Sequence, residues 1–408
     1  MQLSDPAELG FSPARLTRID DFLRERYIAT GRFKGVQVLV AREGEIVHFA
    51  SHGSAGEDGT AIADDQLFRI ASMTKPITSI AFMQLVEEGR VALDDPVHRV
   101  LPELRDVGVY AGGGGDVPFQ SRPTAQPMRM VDLLRHTAGF TYGFQNRGNI
   151  DLAHRQRDLE AWHGNLDLDG FIRELAKLPL EFSPGEGWNY SVATDVLGAV
   201  VQRVADKPLA DVFGDRILTP LGMEDTFFHA PAEKVDRLGD CYAFTPDNPL
   251  KLIDRAGARS AWAKAPTLVS GGGGLVSTSA DYHRFCSMLL GAGQLDGTRI
   301  IARKTLELMT ANHLPGGADL ASISQSLFSE ASYAGMGFGL GFAVVTDPAK
   351  TLIPCSTGEF SWGGMFSTAF FVDPVERIHM VFMAQLAPSS TYPVRRELKT
   401  LIYSALED

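Results

Sequence analysis

The chain has 408 residues, of which 44% are hydrophobic and 22% are charged, and this composition is typical of a globular protein. Because a single hydrophobic core stops growing at roughly 250–300 residues, we expect two lobes. The formal net charge of −12 argues against nucleic acids and membrane surfaces as partners, since phosphate groups repel an acidic surface.

The N-terminal region predicts a helix followed by a β-hairpin. Apolar residues recur at helical spacing between residues 14 and 30, and the pattern ends at Gly31. Residues 35–53 then alternate in the way expected of two strands, with Glu43-Gly44 between them as the turn.

Two histidines in the second predicted strand, His48 and His52, lie four residues apart. On a helix this spacing would suggest a metal pair, but on a strand it separates the two residues by about 13 Å. The chain also lacks the H-E-x-x-H pattern. We therefore interpret both histidines as structural.

The remaining chain predicts mostly helices from residue 72 to about 265 and then a change of pattern. Residues 108–127 are rich in Gly and Pro and predict an exposed loop. Beyond residue 268 the sequence predicts a glycine turn, a short strand and a helix that begins near Ser279. Three further strands at residues 336–345, 365–374 and 377–386 and a closing helix at residues 392–406 follow.

These elements predict an α/β (α+β) fold with one antiparallel sheet. The N-terminal hairpin and the C-terminal strands form this sheet, the terminal helices flank it, and a helical lobe is inserted between them. We place residues 1–71 and 266–408 in the α/β lobe and residues 72–265 in the helical lobe, with the active site between the lobes.

The stretch ASMTK, residues 71–75, places Ser72 three residues before Lys75. If a helix begins here, both side chains lie on the same face, and Pro76 fits the first turn. The backbone N–H of a serine at a helix N-terminus is unpaired and can stabilise an oxyanion, while a nearby amine can take the proton of the hydroxyl. The following segment, residues 77–86, is apolar nearly all round, so a lysine at its start faces a cavity or a partner.

Two further motifs accompany S-x-x-K in serine acyl-transferring enzymes. For the first, the sequence offers Tyr190-Ser191-Val192 at the start of an apolar helix, and for the second it offers Trp362-Gly363-Gly364 on a predicted strand. No G-x-S-x-G and no P-loop pattern occurs in the chain.

With these motifs, the segments LFRIASMTKPI, LLRHTAGFTYG, FSPGEGWNYSVATDVLGAVV, SGGGGLVSTSAD and WGGMFSTAFFVDP resemble the β-lactamase-like serine carboxylesterases, also called family VIII esterases. The resemblance runs in order from about residue 30 to the C-terminus. That family shares the fold of class C β-lactamases and D-alanyl-D-alanine peptidases. The resemblance implies a serine β-lactamase and penicillin-binding-protein-like fold, and a hydrolase that needs neither a metal nor a cofactor.

The resemblance also implies roles for the motif residues. Ser72 is the acylated nucleophile, and Lys75 and Tyr190 form the base system. The backbone N–H groups of Ser72 and Met365 form the oxyanion hole. Since a free tyrosine has a pKa of about 10, a role as base near neutrality requires a pKa about three units lower, and we expect the neighbouring ammonium to provide much of this change.

The resemblance further implies which residues bind the substrate. Trp362, Gly363 and Gly364 line the acyl pocket, with Tyr142 and Phe144 opposite.

Two polar residues near the motifs, Asp195 and His136, are interpreted as mainly structural, although Asp195 orienting the site stays an alternative. The loop at residues 270–274 is expected to border the active site, and the glycines at 335, 337, 339 and 341 are expected on one face of one strand.

Two departures from the β-lactamase pattern bear on the substrate. Val192 stands where an asparagine is usual, and Trp362 replaces a cationic residue that binds a substrate carboxylate. Both changes favour small or medium neutral esters over anionic β-lactams. A β-lactamase, a D-stereospecific amidase or peptidase, and an acyltransferase stay alternatives on the same fold, and a non-catalytic ligand sensor is a remote one.

The sequence says less about the cellular compartment and the oligomeric state than about the active site. The cysteines Cys241, Cys286 and Cys355 are scattered, which favours free thiols in a reducing compartment over disulfides or a zinc site. No signal peptide or membrane-spanning stretch is visible in the sequence. We expect a cytoplasmic protein whose partner is a small-molecule ester, and leave homo-oligomer formation open.

Overall fold

We describe a computed structural model of the chain that covers residues 1–325 and 333–407. Its α-helices are α1 (Pro13–Leu23), α2 (Thr74–Glu87), α3 (Met130–Leu134), α4 (Asn149–Gln156), α5 (Leu168–Leu175), α6 (Ala193–Ala205), α7 (Leu209–Phe213), α8 (Ser279–Leu290), α9 (Arg303–Met309), α10 (Leu320–Ile323), α11 (Pro348–Thr351) and α12 (Val394–Ser404).

The strands of the same residues are β1 (Gly35–Arg42), β2 (Glu45–Gly53), β3 (Phe68–Arg69), β4 (Val109–Gly114), β5 (Val117–Arg122), β6 (Cys241–Thr245), β7 (Asn248–Asp254), β8 (Val276–Ser277), β9 (Gln294–Leu295), β10 (Thr298–Arg299), β11 (Met336–Phe338), β12 (Ala343–Val345), β13 (Phe360–Gly363), β14 (Ala369–Asp373), β15 (Ile378–Ala384) and β16 (Leu386–Ala387).

The central sheet joins the two ends of the chain. Its order is β11-β12-β13-β14-β15-β1-β2, and every neighbouring pair is antiparallel. The predicted hairpin is confirmed, with Glu43 (φ 56°) and Gly44 (φ 88°) in the left-handed conformation that a tight two-residue turn requires. The antiparallel sheet built from both termini is therefore confirmed.

The terminal helices pack together on one face of this sheet. Ile19 and Leu23 of α1 and Leu398 and Ile402 of α12 are fully buried, and they share a core with strand residues such as Phe382. Helix α8 packs against β14 and β15. The flanking terminal helices are thus confirmed.

Helix α2 carries the predicted catalytic motif into the core. Every residue from Thr74 to Met83 is buried, as its apolar sequence predicts, and α2 packs on α6 and α7. A rigid, enclosed helix is a suitable support for reacting groups, because the surrounding packing fixes their positions.

Residues 72–265 contain more strand than the sequence predicts. The segment at 108–127, expected as a loop, holds the hairpin β4–β5, and β6 and β7 form a second hairpin to which β16 adds in parallel. The first hairpin is held by Tyr110 packing edge-on against Phe119 at 6.1 Å. The division of the chain into lobes at residues 71 and 265 stays a prediction.

The glycine-alternating segment is also different from its prediction. It forms two short strands, β11 and β12, because Gly341 (φ 101°) adopts a left-handed conformation between them, while Gly335 (φ 74°) lies just before β11. The prediction that all four glycines lie on one face of one strand is therefore wrong. The expected close neighbour is present, since a Cβ on Gly341 would overlap Ser79 of α2.

His48 and His52 contact the same carboxylate oxygen, Oδ1 of Asp20, at 3.3 and 2.9 Å. Their rings therefore converge although the backbone of β2 separates them. Because Asp20 lies on α1, the contacts attach this helix to the sheet.

All three cysteines are free, and two of them, Cys241 and Cys286, are buried. In residues 1–325 and 333–407, no helix combines the length and apolar character that crossing a membrane requires.

Candidate active site

Ser72 lies in a tight turn, Ala71–Met73, that leads directly into α2. Ala71 has a φ of 45°, a strained conformation for a residue with a side chain, with a cost of about 1–3 kcal/mol. The preceding residue fixes the turn, because the backbone N–H of Ile70 donates to Leu275 (3.0 Å) and its carbonyl accepts from the Thr368 hydroxyl (3.2 Å). Strain of this kind concentrates at functional sites.

Lys75 points back at Ser72 from the first turn of α2. Its side chain is buried, and Nζ donates to Ser72 Oγ at 3.2 Å, to the Tyr142 hydroxyl at 3.0 Å and to the Gly272 carbonyl at 2.6 Å. The structure thus brings the two residues of the S-x-x-K motif together, with three acceptors around one amine.

The pKa of Lys75 is lowered to about 7 by burial, which disfavours the charged ammonium, and the negative charge of Asp195 opposes this effect. Near neutral pH a large fraction of the amine is therefore uncharged. An uncharged amine within hydrogen-bond distance of a hydroxyl can act as a general base.

Tyr190 approaches Ser72 from the other side, just before α6. Its hydroxyl donates to Ser72 Oγ at 2.5 Å, and its ring centroid lies 4.6 Å from Lys75 Nζ. Burial raises the pKa of Tyr190 above its ordinary value, although the hydrogen bond with Ser72 opposes the rise.

The expected lowering of the Tyr190 pKa is therefore wrong. The ring is enclosed by His136 (centroids 5.0 Å apart), Trp362 (5.4 Å) and Trp188 (6.4 Å), and removal from water disfavours the phenolate. In this arrangement Tyr190 is a neutral hydrogen-bond donor near pH 7, and Lys75 is the group whose pKa suits a base.

Asp195 organises the glycine-rich loop that faces Lys75. Its Oδ1 accepts hydrogen bonds from the Ser270 hydroxyl (2.5 Å) and from the Gly272 N–H (3.0 Å), while the Thr78 hydroxyl donates to the Gly271 carbonyl at 2.6 Å. The loop borders the site, as the sequence predicts, and presents the Gly272 carbonyl to Lys75. These contacts support the structural interpretation of Asp195.

Strand β13 ends beside Ser72. A Cβ on Gly364 would overlap the Thr368 hydroxyl and the carbonyl of Ile70, two residues before Ser72. Only glycine permits this close approach. Met365 follows and lines the cavity, where the residue is 45% exposed. The assignment of the oxyanion hole to the N–H groups of Ser72 and Met365 stays a prediction.

The aromatic residues predicted to bind substrate are grouped around Ser72. Trp362 packs against Tyr190, and Tyr142 stacks on the half-exposed Phe144 with ring centroids 4.9 Å apart. The sequence did not predict that Tyr142 would also accept a hydrogen bond from Lys75.

A cavity of about 970 Å³ opens above Ser72. Among the residues that line it are these predicted ones: Ser72, Tyr142, Phe144, Tyr190, Asp195, Trp362, Gly363, Gly364 and Met365. Lys75 lies behind Ser72, under the floor of the cavity. His136 is buried beside Tyr190, where its ring nitrogen lies 3.3 Å from the Ser191 hydroxyl, and burial lowers its pKa.

Other lining residues were not predicted, because they come from distant parts of the chain. One wall contains Leu159, Trp162, Trp262 and Leu268. The guanidinium of Arg395 on α12 donates to the carbonyls of Gly364 (2.8 Å) and Thr368 (2.9 Å). A cation therefore borders the cavity, although Trp362 occupies the position where the β-lactamase pattern has one. In the sequence, the only indication of this cation is the arginine pair at 395–396 in the closing helix.

Comparisons with known proteins identify the family of the chain. The profile of the Beta-lactamase family matches residues 19–404. Esterase EstB of Burkholderia gladioli is 31% identical, covering 98% of both chains, and Protein Rv1367c of Mycobacterium tuberculosis is 36% identical, covering 88% of this chain and 87% of that protein. The solved structure of "EstCE1, a hydrolase with promiscuous acyltransferase activity" superposes with a TM-score of 0.77 at 27% identity, covering 96% of this chain and 99% of that one.

Proposed function

The chain belongs to the beta-lactamase family and has the fold of serine β-lactamases and penicillin-binding proteins, and from this premise we propose that it is a serine carboxylesterase that acts on neutral esters through an acyl-serine intermediate. One observation carries the proposal. Ser72 Oγ lies between the Tyr190 hydroxyl at 2.5 Å and the Lys75 amine at 3.2 Å, at the floor of an open cavity.

In the proposed acylation step, the uncharged Lys75 amine takes the proton of the Ser72 hydroxyl as Oγ attacks the ester carbonyl. The carbonyl oxygen becomes negatively charged and is stabilised by the backbone N–H groups of Ser72 and Met365, each of which contributes about 3 kcal/mol in such sites. The C–O bond to the alcohol then breaks, and the alcohol leaves with a proton from Tyr190, which Lys75 replaces.

In the proposed deacylation step, a water molecule replaces the alcohol. Lys75 and Tyr190 take one proton from the water as its oxygen attacks the acyl carbon, and Ser72 Oγ leaves with that proton. The carboxylic acid is released, and the free serine and uncharged amine are restored. Because Lys75 and Tyr190 are coupled through Ser72, the proton belongs to the pair rather than to either residue alone.

The relatives support an ester substrate, since Esterase EstB and the lovastatin esterase of Penicillium rubens, which is 28% identical, are both esterases by name. Val192 and Trp362 favour a neutral ester over an anionic β-lactam, as argued from the sequence. Arg395 instead favours an anionic substrate, because its positively charged guanidinium borders the same cavity.

The test compares initial rates of hydrolysis of p-nitrophenyl butyrate and of a chromogenic cephalosporin by wild type and Ser72→Ala. We expect fast ester hydrolysis and slow cephalosporin hydrolysis, both lost in the variant. Cephalosporin hydrolysis equal to or faster than ester hydrolysis would mean that Arg395 outweighs the Trp362 and Val192 replacements. Ester hydrolysis that persists in Ser72→Ala would exclude Ser72 as the nucleophile.

Acyl transfer is the second candidate, because the name of EstCE1 includes this activity and the cavity of about 970 Å³ leaves room for an acceptor alcohol beside the acyl group. An alcohol that competes with water for the acyl-serine would yield a new ester. Adding 1-butanol to the p-nitrophenyl butyrate assay and measuring butyl butyrate against butyric acid separates the two activities.

A further inference from the structure

One wall of the active-site cavity is an aromatic trench, which we define as Leu159, Trp162, Trp262 and Leu268. The two indole rings meet edge to face with centroids 4.8 Å apart. Leu159, Trp262 and Leu268 are buried. The accessible part of the trench is therefore mainly the partly exposed Trp162 indole, an apolar surface that an occupant of the cavity can contact.

The trench is formed before any ligand binds. The Trp162 carbonyl accepts from the N–H groups of Thr267 (2.9 Å) and Leu268 (3.1 Å), and the Trp262 carbonyl accepts from Ala230 (2.8 Å). The buried Arg69 guanidinium lies 5.2 Å from the Trp262 ring. Because these hydrogen bonds hold the backbone at both tryptophans and the two rings pack on each other, a ligand entering the trench loses little free energy in ordering it.

The trench begins next to the nucleophile. A Cβ on Gly273 would lie 3.3 Å from the Trp162 ring and 3.8 Å from the backbone of Ala71, the residue before Ser72. A group attached to an ester carbonyl at Ser72 Oγ is therefore within reach of the first indole. The trench is continuous with the proposed active site.

The mouth of the same cavity is also apolar. Phe144, Ile253 and Met365 line it and are 49%, 48% and 45% exposed. Single exposed apolar residues need no explanation, but three around one opening mark a surface that binds apolar ligands. Glu160 also lines the cavity, where its carboxylate accepts a hydrogen bond from the Gly143 N–H and lies 3.0 Å from the His154 ring nitrogen.

The size of the cavity exceeds what a short ester needs. Its volume of about 970 Å³ lies near the upper end of the roughly 300–1,000 Å³ of pockets that enclose drug-sized ligands. Small or medium esters, which the sequence predicts, would leave much of this volume to water.

We propose that the aromatic trench binds a bulky apolar group of the ester substrate, an alkyl chain of about six or more carbons or an aromatic ring system. This inference rests on the proposed function for its chemistry, but the binding itself does not require hydrolysis. Each methylene group moved from water into the trench is expected to improve kcat/KM by about two- to fourfold.

The test measures kcat/KM for p-nitrophenyl acyl esters from acetate to octanoate, and in parallel for n-alkyl acetates from ethyl to octyl. We expect kcat/KM to rise with chain length in at least one series, and the series that shows the rise identifies whether the acyl or the alcohol group occupies the trench. Highest values for acetate or butyrate in the first series and for ethyl acetate in the second would overturn the proposal and support the small-ester prediction.

Two matched pairs of variants locate the effect. Ala261 lines the cavity, whereas Ala263, two residues further in the same turn, does not. Ala261→Phe should reduce the octanoate-to-acetate ratio of kcat/KM at least tenfold, and Ala263→Phe should leave it unchanged. Likewise Ile253→Asn should reduce the ratio, while Val375→Asn, at a 65% exposed apolar residue outside the cavity, should not. Equal ratios within both pairs would overturn the assignment of the trench.

A binding measurement separates this inference from the proposed function. Isothermal titration calorimetry measures the Kd of Ser72→Ala for each ester of the two series. We expect the Kd to fall with chain length in the p-nitrophenyl ester series or in the alkyl acetate series. If wild type hydrolyses no ester but Kd falls with chain length, the proposed function fails and the trench stands. If esters are hydrolysed but Kd is independent of chain length in both series, the trench assignment fails.

Discussion

At the scale of single residues, the central feature is a buried amine with a pKa of about 7. The Lys75 amine must be uncharged to take the proton of Ser72, and it becomes uncharged as the pH rises through its pKa. We therefore expect kcat/KM to increase about tenfold per pH unit below pH 7 and to reach a plateau above it. A pH–rate profile between pH 5 and 9 checks this, and a profile that is flat between pH 5.5 and 8 would contradict it.

Replacing Asp195 tests the direction in which the pKa of Lys75 changes. Its negative charge raises the pKa of Lys75, so Asp195→Asn should lower that pKa further and move the acidic limb of the pH–rate profile to lower pH. Asp281→Asn serves as the control, because Asp281 is also buried but binds Thr226, and it should leave the limb in place. A limb that moves to higher pH in Asp195→Asn would contradict the assignment of the limb to Lys75.

The sequence predicts which residues meet at Ser72 but not all of their protonation states. Ser72, Lys75 and Tyr190 are recognisable because each belongs to a short motif. The raised pKa of Tyr190 is not recognisable, because it depends on enclosure by His136, Trp188 and other rings that only the folded chain assembles.

At the scale of elements, the end of β13 must lie against the turn that carries Ser72. Gly364→Ala would introduce a Cβ that overlaps Thr368 and the Ile70 carbonyl, so the strand has to move away from the nucleophile. Displacing an oxyanion-hole donor lowers kcat by about 10²–10³-fold, and we expect a loss of this size from steady-state kinetics.

The matched control for Gly364→Ala is Gly214→Ala. A Cβ on Gly214 meets nothing within 4 Å, and its φ of −54° is ordinary for any residue. We expect wild-type kcat in this variant. Wild-type kcat in Gly364→Ala as well would show that the position of β13 does not matter for catalysis.

Elements were predicted well where side chains alternate or repeat and poorly where glycines interrupt the pattern. The hairpin at residues 35–53 and helix α12 follow from apolar periodicity and are confirmed. The hairpin β4–β5 was missed because Gly112–Gly115 break its alternation, and β11 and β12 were merged because the left-handed turn at Gly341 is invisible in a regular glycine spacing.

At the scale of the whole molecule, the cavity wall contains residues whose proximity the sequence does not predict. Trp162, Trp262 and Arg395 are separated by 100 and 133 residues along the chain, and no local pattern relates them. The fold brings them together around the cavity that contains Ser72, so their proximity could be recognised only in the fold.

The cysteines test the expectation of a reducing compartment. All three are free; Cys241 and Cys286 are buried, and burial raises their pKa, which disfavours the reactive thiolate. A thiol reagent such as DTNB should modify three cysteines in the denatured chain and no more than Cys355 in the native protein. Fewer than three thiols after denaturation would indicate a disulfide and contradict this expectation; localisation in the cytoplasm stays a prediction.

The proposed mechanism depends on a covalent bond between the substrate's acyl group and Ser72. The most direct measurement is mass spectrometry of the protein quenched with acid within the first turnovers on p-nitrophenyl butyrate, followed by peptide mapping. We predict that one butyryl group is added per chain, on the peptide that contains Ser72, and that Ser72→Ala acquires none. A butyryl group on another residue, or rapid ester hydrolysis without any covalent adduct under conditions where release is slowed, would contradict the account.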